Sequence, residues 1–141
     1  MLLVSTFIVT FIWDIILRIM SENYDKLPFF IQEYKFIKYL IPYFQKHTIL
    51  SAALIAGFIG STTQYIIIHF HEFPKNNNEI LYFLLITFII SALYGFIIKA
   101  SRLFPHLEES YYKQLGVIKS MIHDGISGII VQLTLIFLYN L

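Results

Sequence analysis

Asp14 and Arg18 stand four residues apart inside a run of Ile, Leu, Phe and Val, continuing a row that begins at Thr6 and Thr10. Ionisable side chains in so apolar a stretch are costly, and they persist where they meet one another or a wet interior. A second group, Lys119, His123 and Asp124, opens another apolar stretch, and Asp124, Gly128 and Gln132 repeat the four-residue spacing. Two kinds of chemistry fit such groups. One is a structural clasp whose cationic ends reach the headgroups. The other is a proton relay or the vestibule of a conducting path, with His123 carrying the side chain type that titrates nearest neutral pH. Placing both groups at one depth predicts that Arg18 pairs with Asp124, and Asp14 with Lys119 or His123.

Other chemistries find less support. His69, His71 and Glu72 would offer a metal two imidazoles and a carboxylate, but no further ligand is spaced to join them, so neither metal nor cofactor is expected. His123 and Asp124 are adjacent, hence about 100° apart on a helix, and make no ready catalytic pair. Nucleophile elbows, Walker-type loops and dinucleotide fingerprints are absent. There is no Cys to supply a thiolate. The net charge of +1 gives no pull towards nucleic acid. An enzyme is therefore not expected.

The elements that must position these groups are set by composition. Of 141 residues, 57% are hydrophobic and 13% charged, against about 45–50% and 25% in soluble domains. Water could not host so much apolar surface on so short a chain; a bilayer can. Four segments, 1–19, 48–70, 80–98 and 117–139, each approach the roughly 20 residues a helix needs to cross. The first lacks a basic start and an A-x-A-like cleavage site, so it reads as a retained span. Nine of the ten basic residues flank the first and third loops. Basic loops stay cytoplasmic, or face the equivalent compartment. Loops 20–47 and 99–116 are thus expected there, with both termini opposite. In the first loop, Phe30, Ile31, Tyr34, Ile37, Ile41 and Phe44 share a face opposite Lys35 and Lys38, predicting an amphipathic interfacial helix over about 28–42. Glu109 and Lys113 are spaced for an i,i+4 pair, and PKNNNE reads as a plain turn. The expected fold is all-α: one membrane domain of four transmembrane helices with that interfacial helix between the first two.

Lipid tails are as apolar as Leu, so spans associate through close backbone approach and interhelical hydrogen bonds. Ala52, Ala56 and Gly60 form one small-residue row; Ala53, Gly57 and Ser61 form its neighbour. Gly125 and Gly128 are a smaller counterpart on the last span. This strip is expected to dock another span of the bundle, or a second copy. Gln64, Thr87 and Gln132 form a polar layer towards the other face, suited to interhelical hydrogen bonds or to lining a narrow path.

One stretch, Tyr39-Leu40 followed by His47, Gly57, Gly60 and Gln64, with Lys119 and Asp124 later, resembles the small peroxisomal and mitochondrial inner-membrane protein family of four-helix channel-like proteins. Thr48 stands where that family has Pro, Ser61 where it has Asp, and Gly125 where it has Gln. The resemblance implies a metabolite-permeable pore in an organelle membrane. From the residues alone, the leading expectation is a non-enzymatic structural or assembly subunit of a larger membrane complex or of a viral or organelle membrane. Its partners would be lipid and other subunits or copies of itself. The alternative is a small pore or proton-coupled carrier built on the charged cluster. The preference for Ile (26) over Val (4) and Lys (8) over Arg (2) fits an A/T-rich genome, as of an organelle or a large virus.

Overall fold

All four prolines, at 28, 42, 74 and 105, fall outside the long apolar segments, so nothing interrupts their backbone hydrogen bonding. In the computed structural model, which describes residues 1–33, 49–103 and 116–140, each segment is one unbroken helix. These are α1 (Leu2–Glu22), α3 (Ile49–Phe70), α4 (Asn77–Ala100) and α5 (Val117–Asn140); a 3-10 turn (Tyr24–Lys26) and the short α2 (Phe29–Gln32) follow α1. At 1.5 Å per residue the long helices run about 32–36 Å, enough to cross a hydrocarbon core of about 30 Å. All four qualify as membrane spans by length and apolarity.

Two helix ends lie three residues beyond the sequence expectation. The side chain of Glu79 reaches back, accepting from the Lys75 backbone N–H at 3.1 Å and the Asn76 amide at 3.4 Å. Half of the expected turn is thereby the start of α4, because an acidic residue three places into a helix satisfies donors that would otherwise be orphaned. At the other end of the bundle, α1 runs on through Ser21, and the Asn23 side chain donates to the Ile19 carbonyl at 2.9 Å. Of the expected interfacial helix, residues 28–33 lie within the described residues and Phe29–Gln32 of these are helical; the remainder, like the Glu109–Lys113 pair, lies outside them.

The helices form a ring. α1 packs most closely on α3, and α4 on α5; α1 with α5 and α3 with α4 close the circle. Ser5 and Tyr139 share a hydrogen bond of 2.9 Å, and Trp13 Nε1 donates to Thr134 Oγ1 at 3.0 Å. The start of α1 therefore sits beside the end of α5, at the terminal face of the bundle. The opposite end, the loop face, receives residues 23 and 101.

Burial is inverted relative to a protein in water. Val4, Ile8, Ile12 and Ile16 form an exposed row on α1, and Leu81, Leu85, Ile89, Leu93 and Ile97 form another on α4. The buried positions include Thr6, Arg18, Gln64, Thr87, Lys99 and Gln132. In water charged and amide side chains stay outside; against lipid the preference reverses. This is an integral membrane protein. Its one cluster of buried hydrophobics among the described residues, Ile67, Phe83 and Ile136, lies near the terminal face and is extended by Phe73 and Ile80.

The small residues set the close pairs. A methyl group built at Gly57 would meet the Phe7 ring at 2.9 Å, and one at Gly60 would collide with Thr10. Ser61 Oγ donates to the Leu3 carbonyl at 2.8 Å, and Ala52 and Ala53 are buried. Gly57, Gly60 and Ser61 thus form an internal interface with α1. On α5, Gly125 receives Phe88, and Gly128 receives Ser91 and Thr87, all from α4.

A candidate solute cavity

Side chains four apart lie on one stripe of a helix, and four such stripes face the centre of the ring. α1 contributes Thr6, Thr10, Asp14 and Arg18; α3 contributes Ala56, Gly60 and Gln64. α4 contributes Thr87, Ser91, Gly95 and Lys99; α5 contributes Asp124, Gly128 and Gln132. Between them is a cavity of about 220 Å³. Trp13, Leu17, Ile59, Ile98, Ile130 and Val131 supply much of its carbon wall.

Charge is concentrated at the loop end and is locally balanced. Arg18 Nε donates to Asp14 Oδ2 at 2.6 Å within α1. Lys99 Nζ donates to Asp124 Oδ2 at 2.5 Å and to Ser120 Oγ at 2.7 Å, joining α4 to α5. Gly95 makes this second pair feasible, because a Cβ there would occupy the place of the Asp124 carboxylate. His123 is buried beside it, with Nε2 3.5 Å from Ser127 Oγ. The expected partners are therefore corrected. Asp14 takes Arg18 from its own helix, and Asp124 takes Lys99. Lys119 is exposed; it precedes the Ser120–Asp124 stripe by one residue, which rotates it about 100° from the cavity. The rest of the expected cluster (Asp14, Arg18, His123 and Asp124) does meet at this cavity.

Midway along the cavity, Thr10, Thr87 and Ser91 carry buried hydroxyls with no hydrogen-bond partner among the described residues. Helical Ser and Thr commonly satisfy themselves on the carbonyl one turn back. Thr6, Thr63 and Thr134 do so, on Leu2, Ile59 and Ile130. Two of the three exceptions lie against glycines of the neighbouring helix, Thr10 on Gly60 and Ser91 on Gly128, where weak Cα–H···O contacts are common.

Towards the terminal face, Gln64 and Gln132 form a reciprocal amide pair, each donating to the other. With Thr87, also fully buried, the polar layer read from the sequence lines the same cavity. The hydrophobic cluster of Ile67, Phe83 and Ile136 follows beyond it. His69 and His71 sit outside this system: His69 Nδ1 donates to the Tyr65 carbonyl at 2.8 Å, and His71 Nδ1 to that of Glu72 at 2.6 Å. Among the described residues no three His, Asp or Glu gather to hold a metal.

Sequence reasoning missed Ser91, Gly95 and Lys99. The signal was present, since Thr87, Ser91, Gly95 and Lys99 form a four-residue row like that of α1. Comparison with protein-family models, curated proteins and solved structures gives no match to this chain. The geometry itself places the chain in a class: a multi-pass membrane bundle of four helices around a cavity with neutral hydroxyls and amides in its wall and paired charges at one end.

Proposed function

We propose that this protein is a small conduit that passes polar solutes across its membrane, with the central cavity as the place where the solute sits. The observation that carries the reading is the cavity of about 220 Å³ at membrane depth, with Asp14, Arg18, Lys99 and Asp124 in its wall. A bundle that served only as a scaffold would gain nothing from these groups. Well-packed apolar side chains replace buried ion pairs at no loss, often with a gain of about 1–4 kcal/mol. In the small-residue strip on α3, the feature that favoured a docking scaffold, Gly57, Gly60 and Ser61 are already met by α1 of the same chain. The resemblance carried by Gly57, Gly60, Gln64 and Asp124 implies a pore as well, and belongs to this proposal.

Passage requires a path past the Gln64–Gln132 pair and past Ile67, Phe83 and Ile136, which lie towards the terminal face. The α1–α3 and α4–α5 pairs are each joined through glycines, so a relative shift of the two pairs is the economical motion, in the manner of packed helices that slide. By the distribution of Lys and Arg, the loop face lies on the cytoplasmic or equivalent side.

The test is reconstitution in liposomes with flux measured for protons, ions and small solutes. Flux above that of empty vesicles is expected, and Ala56→Phe, which fills the cavity from α3, should abolish it while far-UV circular dichroism stays helical. Folded protein that leaves vesicles as tight as protein-free ones refutes the conduit.

A further inference from the structure

Resting on the conduit reading, we infer that the solute is a small uncharged molecule bearing hydroxyl or amide groups, rather than an ion. The first argument is electrostatic. Both carboxylates in the wall are matched to cations at 2.5–2.6 Å, so an ion entering the cavity would have to compete with a pair already made. An ion that sheds its water needs a shell of oxygens, six or more for the common divalent cations and a ring of carbonyls in potassium filters. Three hydroxyls amid carbon, Thr10 on α1 with Thr87 and Ser91 on α4, do not provide one.

The second argument is the hydroxyls themselves. Thr87 is completely buried and Ser91 is 7% exposed, and both belong to the cavity wall, one helical turn apart on α4. Neither oxygen has a hydrogen-bond partner among the described residues, although a partner one turn back is the ordinary choice. Buried polar groups are satisfied in the great majority of native structures. A hydroxyl both donates and accepts without charge, which matches an alcohol or an amide. Both oxygens are closed off in the structure as it stands, so a solute meets them when the two helix pairs shift. Size agrees. A cavity of about 220 Å³ is far above the roughly 10–15 Å³ that a single water requires, and it admits a molecule of the size of glycerol or urea.

The experiment uses proteoliposomes of the full chain. Stopped-flow light scattering after a glycerol or urea gradient reads solute entry, and a potential-sensitive dye under a KCl gradient reads ions. The expected result is glycerol or urea entry well above empty vesicles with no ionic conductance. Thr87→Val combined with Ser91→Ala should lower that entry about tenfold, the worth of one to two hydrogen bonds, while the unfolding temperature is unchanged or higher. Thr87→Ser, which keeps a hydroxyl, should retain it, and this variant keeps the test informative should the double variant fail to fold. Ion conductance without solute entry overturns the solute class but leaves a conduit. Absence of both overturns the conduit and this inference with it. Wild-type solute entry through a folded double variant overturns the role of the hydroxyls.

Discussion

Replacing Asp124 with Asn removes the counter-charge 2.5 Å from the ammonium of Lys99, whose side chain is only 4% exposed. Removing one partner of a buried pair costs about 3–5 kcal/mol. Lys99 lies in the last turn of α4, where a long cationic stem can bend towards the headgroups, which places the cost at the lower limit, about 3 kcal/mol. The insertion penalty of about 2.5–3.5 kcal/mol for a lysine at a helix centre sets a consistent scale. Lys99→Met should cost a similar amount, because Asp124 is seated against Gly95 with 21% of its side chain exposed. The double variant Lys99→Met/Asp124→Leu removes both charges and should return to wild-type stability or exceed it. The coupling energy of the cycle is then at least about 6 kcal/mol, since two costs of about 3 kcal/mol vanish together, far above the few tenths expected of independent sites. Reversible unfolding in mixed micelles, followed by far-UV circular dichroism, measures all four proteins. An Asp124→Asn variant within about 0.5 kcal/mol of wild type, or a double variant no better than either single, refutes the assignment of a tightly coupled pair.

At the α1–α3 interface, Gly60→Ala should destabilise more than Gly57→Ala. The new methyl meets the branched side chain of Thr10 in the first case and the tiltable edge of the Phe7 ring in the second. Overpacking of this kind costs about 1–3 kcal/mol, and the order of the two melting temperatures is the check. Gln64→Leu should cost about 1–3 kcal/mol by orphaning the Gln132 amide, whereas Gln64→Leu/Gln132→Leu should lie close to wild type in the same unfolding assay. Trp13→Phe should lose about 0.6 kcal/mol, the mean worth of an interhelical hydrogen bond in a membrane, and equal stability would show the Thr134 contact to be idle. Because the chain has no Cys, single cysteines report location without background. A membrane-impermeant maleimide should label Asn23→Cys and Ser101→Cys from one side and Lys75→Cys from the other; any other grouping breaks the four-span topology.

The spans were legible because length and apolarity suffice to define them, and their bounds shifted by three residues or fewer at most ends. Helix ends moved where a side chain did the capping, as with Glu79, an effect that hydropathy does not register. The polar lining was half legible. Asp14, Arg18, Gln64 and Gln132 stood out as foreign residues within apolar runs. Lys99 did not, because a lysine at the end of a span looks like an ordinary flanking charge, and only its helical phase with Thr87, Ser91 and Gly95 separates the two. The ion-pair partners were illegible for a different reason. Equal depth leaves several cations in reach of each carboxylate, and the rotation of each helix about its axis decides among them. That rotation is set by Gly95, Gly125 and Gly128, whose partners on the facing helices no single-helix pattern specifies.

The two ion pairs differ in where they are complete. Asp14 and Arg18 belong to one helix, so α1 can enter the bilayer during synthesis with its charges already cancelled. Lys99 and Asp124 belong to successive helices, and each alone carries an uncompensated charge into lipid. α4 and α5 therefore profit from entering together, as a hairpin, and a ribosome-bound chain ending before Val117 would hold α4 less firmly in the membrane than the completed protein does.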